Sequence, residues 1–600
     1  MSLVTFAPRR WRSSFFVVCL VVCVCGRAAA GTPPAMPAVF PSGAIAFAEL
    51  NGLDAKLQQF RSSEILAAWL ESPQYQRYLA SADYRRLEAV LQIAERQLGW
   101  DAWTAATKLL GGTVAVAVYP KEGSQRPDAL AIIRPSDSTA LSDLRKQLDP
   151  LLVLAEEQIR RTESVGGVET LALPEDAAFI AWKSQWLAIS TSRALLDQTL
   201  ERLSGTGEDE KGTALDEDES YQKMAKSIAW EQPEVGSGRV RILRAYVNTA
   251  LLNKASGGKP IPEKLDNALG SLLFGDIVQS LRTSPFAAAT VEISDDGLLI
   301  TASLARDSGK PEDAYQAFVP IDGRGVPPPP RVPDLIGAFT IYRDFTHWYT
   351  HREDLLQEQI LPSFDKFETG LANILPGSDF GEDVLPLIGK RITFVAAPQD
   401  YSHLDGEPGV KLPGMALLVE LARPDEATTV LQLFFQTLAA VLNLEAGQQG
   451  RQPWVVTSET YRDVQVSYAR YLHKPSGKDL GIVYNFLPSS ARVGDQFIIS
   501  SSLPLCKQLI DALRDDSNAS GENAGPQILR AELRFDALAG LIESDANFFV
   551  GRMQQEGRTA EEARDEFAAL VDLLRRFNSL EASTELQPDI FKLEIEGNWK

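Results

Sequence analysis

Two matching stretches organise the hydrophobic pattern of this chain. Leu109–Pro120 reads as an apolar helix end, then two glycines, then alternating valines and alanines. Glycine favours a left-handed helix end, and alternating β-branched residues favour a strand with one covered face. We therefore predict that a helix ends at Gly111 and that a strand spans Thr113–Tyr119. Pro386–Pro398 repeats the same arrangement later in the chain.

These stretches belong to two series of segments that follow the same order. Ile336–Tyr342 corresponds to Ala44–Leu50, and Gln496–Ser500 corresponds to Gln185–Ser190. The tetrapeptide Ile-Leu-Arg-Ala occurs in both series, at 242–245 and 528–531. Chance does not readily produce several matches in one order. We therefore predict two homologous repeats, 42–305 and 334–600, joined by a proline-rich linker at 306–333.

The predicted elements of each half give the fold class. About nine strands are connected mostly by short turns, and helices are inserted in three places, which favours antiparallel pairing and an α+β fold. An antiparallel sheet of that size must twist. We expect two curved sheets, each with its helices packed on one face. The other face is either solvated or a concave surface, and it is the site-like feature that the fold itself predicts.

The N-terminus has the pattern of a secretory signal peptide, residues 1–30. Arg9, Arg10 and Arg12 precede an unbroken apolar run, Phe15–Cys25, and three alanines follow at 28–30. The apolar run is shorter than the roughly 20 residues that a spanning helix needs, which favours cleavage over anchoring. We expect a secreted or periplasmic protein with a flexible leader at 31–41 and no transmembrane segment after cleavage.

Charge and cysteine content restrict which kinds of partner and which covalent cross-links the protein can have. The formal net charge is −21, and removal of the four arginines of residues 1–30 makes it more negative. An acidic chain does not suit nucleic acid, whose binding needs basic patches. Cys506 is the one cysteine outside the signal peptide, so the exported chain is free of internal disulfides. The acidic segment 204–220 is expected to be a disordered loop.

His347 and His351 are the strongest candidates for metal ligands. They are four residues apart, so on a helix both would lie on one side, with Glu353 nearby. Zinc proteases of the His-Glu-x-x-His kind need glutamate directly after the first histidine, where this chain has Trp348. The alternative is a pair of surface or interface histidines. The remaining two histidines, His403 and His473, fall in predicted loops of the second half.

Candidate nucleophiles are weakly supported by their surroundings. Ser220–Lys223 and Ser363–Lys366 both fit Ser-x-x-Lys, a pattern short enough to arise by chance, and no partner motif accompanies either. Cys506 lies in an apolar helix pattern that favours a packing role. Aromatic residues are concentrated in the second half, where they either pack in the core or line a binding face. These aromatics are Trp348, Tyr349, Tyr468, Tyr471, Tyr484 and Phe486.

The segment Phe40–Leu50 carries a resemblance to a known family. It fits a Phe-Pro-x-x-x-x-x-Phe/Tyr-x-x-Leu strand and follows a signal peptide. In this the chain resembles a family of exported bacterial proteins of unknown function, frequent in planctomycete-type bacteria. The resemblance implies export and an α+β repeat unit, and it implies no catalytic residues.

These patterns together favour an exported protein of unknown biochemical function that acts as a non-enzymatic binding or scaffold module. The ligand or protein partner is unidentified. The alternative is a hydrolase, possibly metal-dependent, whose site lies in the second half only. No polar constellation recurs at matched positions of the two halves, and we assign no catalytic, cofactor-binding or metal-ligating residue from the sequence.

Overall fold

The computed structural model describes most of the chain from residue 35 onward. The predicted signal peptide, 1–30, lies outside the described residues, as does part of the acidic segment. The described ranges are 35–52, 61–121, 123–124, 126–154, 159–163, 167–183, 185–204, 213–228, 238–255, 261–306, 313–320, 323–372, 374–375, 377–516, 526–587 and 589–600.

The chain divides into two compact units. Unit 1 consists of Met1–Pro260 and Ser284–Ala305, and unit 2 consists of Ile261–Thr283 and Arg306–Lys600. The chain passes into unit 2 at Arg306, directly after the predicted first repeat, 42–305. Residues 261–283, which the prediction placed in the first repeat, belong with unit 2 although they precede the last two strands of unit 1.

Unit 1 contains a sheet whose ten described strands all pair antiparallel. Their order across the sheet is β10-β9-β8-β1-β2-β3-β7-β6-β5-β4. The strands are β1 (Ala46–Asn51), β2 (Thr113–Tyr119), β3 (Asp128–Arg134), β4 (Arg160–Glu163), β5 (Glu169–Ala172), β6 (Phe179–Lys183), β7 (Trp186–Ser190), β8 (Val240–Asn248), β9 (Phe286–Ile293) and β10 (Gly297–Ala305).

Unit 2 has a ten-stranded antiparallel order of its own, β22-β21-β20-β11-β12-β14-β19-β18-β16-β15. A separate parallel pair joins β13 to β17. The strands are β11 (Gly337–Tyr342), β12 (Ile388–Ala397), β13 (Asp405–Pro408), β14 (Gly414–Leu421), β15 (Trp454–Tyr461), β16 (Val464–Tyr471), β17 (Ser476–Leu480), β18 (Ser489–Val493), β19 (Gln496–Ser500), β20 (Gln527–Arg534), β21 (Phe577–Leu586) and β22 (Ile590–Trp599).

The two sheets follow the same strand order, position by position. Local hydrogen bonds recur as well: the Ser190 hydroxyl accepts from the backbone N–H of Ser192, and Ser500 does the same for Ser502. The α+β class with antiparallel sheets is confirmed, with ten described strands in the main sheet of each unit where about nine were predicted. The common origin of the two halves and the curvature of the sheets stay predictions.

The described helices precede or connect these strands, singly or in groups. Those of unit 1 are α1 (Met36–Val39), α2 (Glu64–Glu71), α3 (Pro73–Leu79), α4 (Ala82–Leu98), α5 (Ala102–Leu110), α6 (Ala140–Leu154), α7 (Arg193–Ser204), α8 (Glu219–Ser227) and α9 (Thr249–Ala255). Those of unit 2 are α10 (Ala268–Thr283), α11 (Phe345–Thr350), α12 (Arg352–Leu355), α13 (Leu361–Ala372), α14 (Pro424–Gln448), α15 (Leu503–Asp516), α16 (Phe535–Ser544), α17 (Ala546–Gln555) and α18 (Ala560–Arg575).

The predicted strand at Thr113–Tyr119 is confirmed as β2. The predicted left-handed end at Gly111 is wrong, because its φ is −73°. The glycine pair serves a close approach instead: a Cβ on Gly112 would lie 2.0 Å from the carbonyl oxygen of Arg134 on the neighbouring strand. Any larger residue there would push β2 and β3 apart.

Strand β14 explains why unit 2 does not follow the prediction of helices on one face. Its residues Met415–Val419 are apolar at five consecutive positions, so both faces of the strand need cover. Ala416 and Leu418 pack with Cys506 and Leu509 of α15. Leu421 shares a face of the strand with Val419, opposite to the face of Ala416 and Leu418. It packs with Ala427, Val430 and Leu431 of α14. The two helices therefore cover opposite faces.

A buried arginine ties α10 to unit 2. Arg343 is 1% exposed, and its guanidinium donates to the carbonyl oxygens of Leu272 and Leu273 at 2.5 and 2.7 Å and contacts Asp276 at 3.4 Å. Burial raises the pKa of Asp276, an effect that the guanidinium opposes. Breaking such a pair costs about 3–5 kcal/mol. The sequence offered no signal for this pairing, which is why the predicted boundary misplaced 261–283.

Two segments that we predicted to be flexible are packed where the structure describes them. In the predicted leader 31–41, Phe40 is fully buried and its ring lies 5.2 Å from that of Phe47. In the predicted disordered loop 204–220, Leu215 is fully buried and Asp218 caps α8. In both segments, a few apolar side chains within a polar or small-residue stretch are sufficient to anchor the backbone. Residues 205–212 lie outside the described ranges.

The predicted linker 306–333 is also part of unit 2 rather than a free spacer. Asp313–Phe318 forms a 3₁₀ turn in which Phe318 is 1% exposed. Val326 is fully buried, and its backbone N–H donates to the carbonyl oxygen of Gln527 at 2.7 Å. The buried aromatic and aliphatic residues between the prolines were the signal that the composition argument overlooked.

Candidate functional site

A cavity of about 540 Å³ lies in unit 2 between α14 and the sheet. Its floor is the sheet face opposite α15, where alternate side chains of β12, β14 and β19 point away from the core. The floor side chains are Phe394, Met415, Leu417 and Ile499. Its roof is the C-terminal part of α14, chiefly Leu442 and Ala446. The volume is in the range of small-molecule sites.

Helix α14 is shaped for this position by its sequence. Pro424 occupies its first turn, and Asp425 and Glu426 complement the positive end of the helix dipole. From Ala427 to Leu444 the helix then runs for eighteen residues without a charged side chain. At its N-terminal end, Ala427 is fully buried against Leu387, Leu421 and Phe497 of the sheet side.

Asn443 fastens the other end of the helix. Its side-chain Nδ2 donates to the carbonyl oxygen of Trp454 at 2.8 Å, and its Oδ1 accepts from the backbone N–H of Trp454 at 2.6 Å. The amide thus pairs with the first residue of β15 as a neighbouring strand would. Because both ends of α14 are fixed, the space beneath its C-terminal part is preserved rather than closed by collapse.

Aromatic rings form one wall of the cavity. Trp454, Tyr471, Tyr484 and Phe486 line it, and the rings of Tyr471 and Tyr484 lie 5.6 Å apart. Burial raises the pKa of Tyr471, so its phenol stays neutral and can donate a hydrogen bond. The wall is therefore apolar with few polar tips.

Three of the aromatics singled out in the sequence, Tyr471, Tyr484 and Phe486, meet at this wall. Two others do not: Trp348 and Tyr349 lie in a separate cluster and line a smaller apolar depression of about 370 Å³. Three further lining residues were not predicted from the sequence: Asn443, Arg451 and Trp454. The uncharged run of α14, followed directly by these residues, was the signal that could have identified them.

One basic group lies at the cavity. Arg451 is half-buried, and its Nε donates to Oε1 of Gln449 at 3.0 Å. Gln449 in turn donates to Oε1 of the exposed Glu445 at 3.0 Å. The Arg451 guanidinium also lies close enough to Tyr471 to lower the pKa of that phenol slightly, against the larger effect of burial. The cavity thus has an apolar body, with one cationic side chain, Arg451, and one acidic side chain, Glu445, at its lining.

The outer face of α14 is unusually apolar. Leu433, Val441 and Leu444 are 51%, 46% and 67% exposed. Among the described helices, α14 is the one that is long and apolar enough to cross a membrane, and only 17% of its most apolar stretch is buried. The prediction of no transmembrane segment after signal cleavage did not take this helix into account.

A larger groove of about 1130 Å³ also lies in unit 2, but its character is different. Charged side chains line it, and neighbours neutralise several of them. Arg534 pairs with Glu532, and Lys411 pairs with Glu407 at 2.7 Å. Asp536 pairs with Lys600 at 2.8 Å. These groups satisfy one another, so the groove offers a ligand less than the apolar cavity does.

The candidate nucleophiles are not arranged for catalysis. Lys223 pairs with Glu219 at 2.7 Å, one turn away, rather than with Ser220. Ser363 and Lys366 are both exposed on α13. Cys506 is fully buried, and burial raises the pKa of its thiol to about 12, so it is not a thiolate at neutral pH. The predicted packing role of Cys506 is confirmed.

The histidines are placed as follows. His347 and His351 lie one helical turn apart, with ring centroids 4.5 Å from each other. The carboxylates near them are Asp313 and Asp354, not the Glu353 suggested by the sequence. His403 lies elsewhere, with its Nε2 3.4 Å from the carbonyl oxygen of Tyr484.

No family model matches the sequence, and no curated protein matches it. Among solved structures, crystal forms I and III of TP0453 are similar at 10% identity, each over 48% of this chain and over 84% and 85% of their own chains. The TM-scores are 0.23 and 0.24, too low to support any argument about this chain. The case for function therefore depends on the geometry of the cavity.

Proposed function

We propose that this chain is an exported, non-enzymatic binding module whose ligand is a small, mostly hydrocarbon molecule held beneath α14. The observation that carries the proposal is the apolar cavity of about 540 Å³. Protein interiors are normally packed to the density of organic crystals, and an apolar space of this size is typical of a binding site. Export is the expectation from the N-terminal sequence.

The chemistry of the cavity suggests a polar end for the ligand. Arg451 is the cationic residue at the cavity, and a glutamine rather than a carboxylate holds its Nε. A guanidinium binds carboxylate and phosphate oxygens through paired hydrogen bonds. A ligand with a hydrocarbon chain in the cavity and an acidic end at Arg451 would match both the apolar lining and the guanidinium. We therefore propose an amphiphile of the fatty-acid type.

A cavity-filling substitution tests the site. Ala446 is 7% exposed and forms part of the roof, so Ala446→Trp would occupy the space. We expect the affinity for a fluorescent long-chain fatty acid, measured by titration, to fall at least ~10-fold, or about 1.4 kcal/mol. Ala440→Trp makes the same change on the exposed face of the same helix and should leave the affinity unchanged.

The same titration tests the polar end. Arg451→Gln should weaken binding of the fatty acid about tenfold, a loss of about 1.4 kcal/mol, and leave binding of the matching fluorescent alcohol unchanged. Equal binding of the fatty acid by the wild-type chain and by Ala446→Trp would show that the cavity is not the site. Equal losses for acid and alcohol in Arg451→Gln would remove the acidic end from the proposal while leaving the apolar body.

A further inference from the structure

A second cluster in unit 2 has the chemistry of a metal site. The Nε2 atom of His351 lies 3.6 Å from Oδ2 of Asp313, and the Nε2 atom of His347 lies 4.0 Å from Oδ1 of the same carboxylate. One ligand atom from each of the three residues lies within 4.8 Å of the other two. Two imidazoles and one carboxylate are a ligand set that zinc-class ions prefer.

The backbone holds these side chains in place. Asp344 caps α11 by accepting from the backbone N–H of His347 at 3.0 Å, and its own N–H donates to the carbonyl oxygen of Ala317 at 2.8 Å. The second contact joins α11 to the 3₁₀ turn that carries Asp313. On the other side of α11, Trp348 and Tyr349 are buried. The histidine face is therefore fixed opposite the Asp313 turn by packing and by hydrogen bonds.

Asp354 sets the orientation of one imidazole. Its Oδ2 lies 3.2 Å from Nδ1 of His351, and a carboxylate can only accept there, so the ring proton is on Nδ1. In the neutral ring, Nε2 then has a free lone pair that faces the Asp313 carboxylate. Two acceptors that face each other at 3.6 Å are favourably placed to hold a cation or a proton between them. Carboxylate–histidine–zinc triads have this arrangement.

His347 can ligate the same ion after a change of tautomer. Its Nε2 lies 2.7 Å from the backbone carbonyl oxygen of Asp313, to which the neutral ring donates its proton. When a metal binds, that proton moves to Nδ1 and the Nε2 lone pair becomes the ligand. With Zn–N bonds of 2.0–2.1 Å, tetrahedral ligand atoms are separated by about 3.3 Å. The observed 3.6 and 4.0 Å are to different oxygens of Asp313, and the three ligand atoms lie within 4.8 Å of one another, so the side chains must close in by up to about 1.5 Å to ligate one ion.

We propose that Asp313, His347 and His351 bind one divalent ion of the zinc class and that Asp354 is a positioning residue for His351. Three protein ligands leave one tetrahedral position open for water or for a group of a partner molecule. The residue after His347 is Trp348, so the general base of the His-Glu-x-x-His proteases is absent from its place. The proposal is therefore a binding site, independent of the cavity beneath α14.

The test is metal uptake by the mature chain, residues 31–600, after dialysis against a chelator. We expect zinc titration calorimetry to show one equivalent bound, and cobalt(II) to give the visible absorption of a tetrahedral nitrogen–oxygen site. His351→Ala should lower zinc affinity at least 100-fold. Asp354→Asn should lower it about 10–100-fold, as loss of a positioning carboxylate does.

Controls separate ligation from folding. His473→Ala removes an exposed histidine outside the cluster and should leave the affinity and stoichiometry unchanged. The Asp354 side chain is 67% exposed, so Asp354→Asn should keep its circular dichroism spectrum and decide the matter even if His351→Ala unfolds. No zinc uptake by the folded wild-type chain would overturn the proposal and assign the cluster to imidazolium–carboxylate ion pairs. Unchanged affinity in Asp354→Asn would equally remove the positioning role.

Discussion

Helices α6 and α14 occupy the same place in the strand order of their units, but they differ in chemistry. α6 follows β3, has 15 residues and carries Asp143, Arg145, Lys146 and Asp149. α14 follows β14 and has 25 residues, with no charged side chain from Ala427 to Leu444. The first is a polar surface helix of common length. The second is apolar on both its inner and its outer face.

The two helices are also fixed to the following strands by different means. Arg145 pairs with Asp149 at 2.9 Å and with Glu169 of β5, and it lies 4.3 Å from the ring of Trp182. In unit 2 the neutral amide of Asn443 makes the corresponding connection to β15. A charged contact suits a wet surface, whereas a neutral one can border an apolar cavity without a desolvated charge. The difference shows how the same strand order can accommodate an apolar cavity beneath the helix of unit 2.

The largest loss of stability should come from a substitution at a helix position that is buried in both units. Leu196 of α7 and Cys506 of α15 are both fully buried at matching places in their helices. Leu196→Ala should lower the free energy of unfolding of unit 1 by about 2–5 kcal/mol, because it leaves a cavity. Cys506→Ala removes a single heavy atom and should cost clearly less. Denaturant titrations followed by hydrogen exchange in each unit would measure both, and a larger loss for Cys506→Ala would contradict the match.

A smaller loss of stability is expected at the contact between α14 and β15, where the two units differ. Asn443→Ala removes both hydrogen bonds to the backbone of Trp454 and should cost about 1–3 kcal/mol. The backbone amide of Trp454 should then exchange with solvent faster. Gln436→Ala changes an exposed amide on the same helix and serves as the control. If the two variants behave alike, Asn443 does not fasten α14 and the preserved cavity needs another explanation.

The smallest loss of stability should follow from removing Arg145, which makes the charged contact of unit 1. The Arg145 side chain is 24% exposed, so solvent screens its ion pairs. Arg145→Ala should cost roughly 1 kcal/mol, including the contact with Trp182. High salt should reduce that cost and leave the cost of Asn443→Ala unchanged. Thermal unfolding at low and high salt would show the contrast, and equal salt sensitivity would remove the distinction between the two connections.

The sequence predicted well wherever a local pattern decides the structure. The alternating valines of Thr113–Tyr119 predicted β2 with its correct ends, and the short connections between strands predicted the α+β class with antiparallel pairing. The predictions were wrong where a few side chains act over long sequence separations. Phe40 and Leu215 anchor segments whose composition resembles a flexible chain. Composition averages over a segment, whereas one buried aromatic can order it.

The candidate sites were less accessible to prediction for a similar reason. His347 and His351 could be paired from their spacing, but Asp313 reaches them only through the fold of the 3₁₀ turn. The aromatic wall was partly identified, and its completion by Trp454 depends on how α14 meets β15. The uncharged stretch of α14 was visible in the sequence. Its meaning becomes clear only once β14 is seen to be apolar on both faces.

The assignment of α10 to unit 2 has a consequence for how the chain is made. A polypeptide is synthesised and exported N-terminus first, so residues 261–283 emerge before Phe318 and Arg343, the residues that cover and bind this helix. During that interval unit 1 also waits for Ser284–Ala305, its last two strands. The helix must therefore remain uncovered while the following sixty or so residues arrive. A nascent chain halted in this window would present an apolar helix, which is the kind of segment that chaperones and proteases recognise.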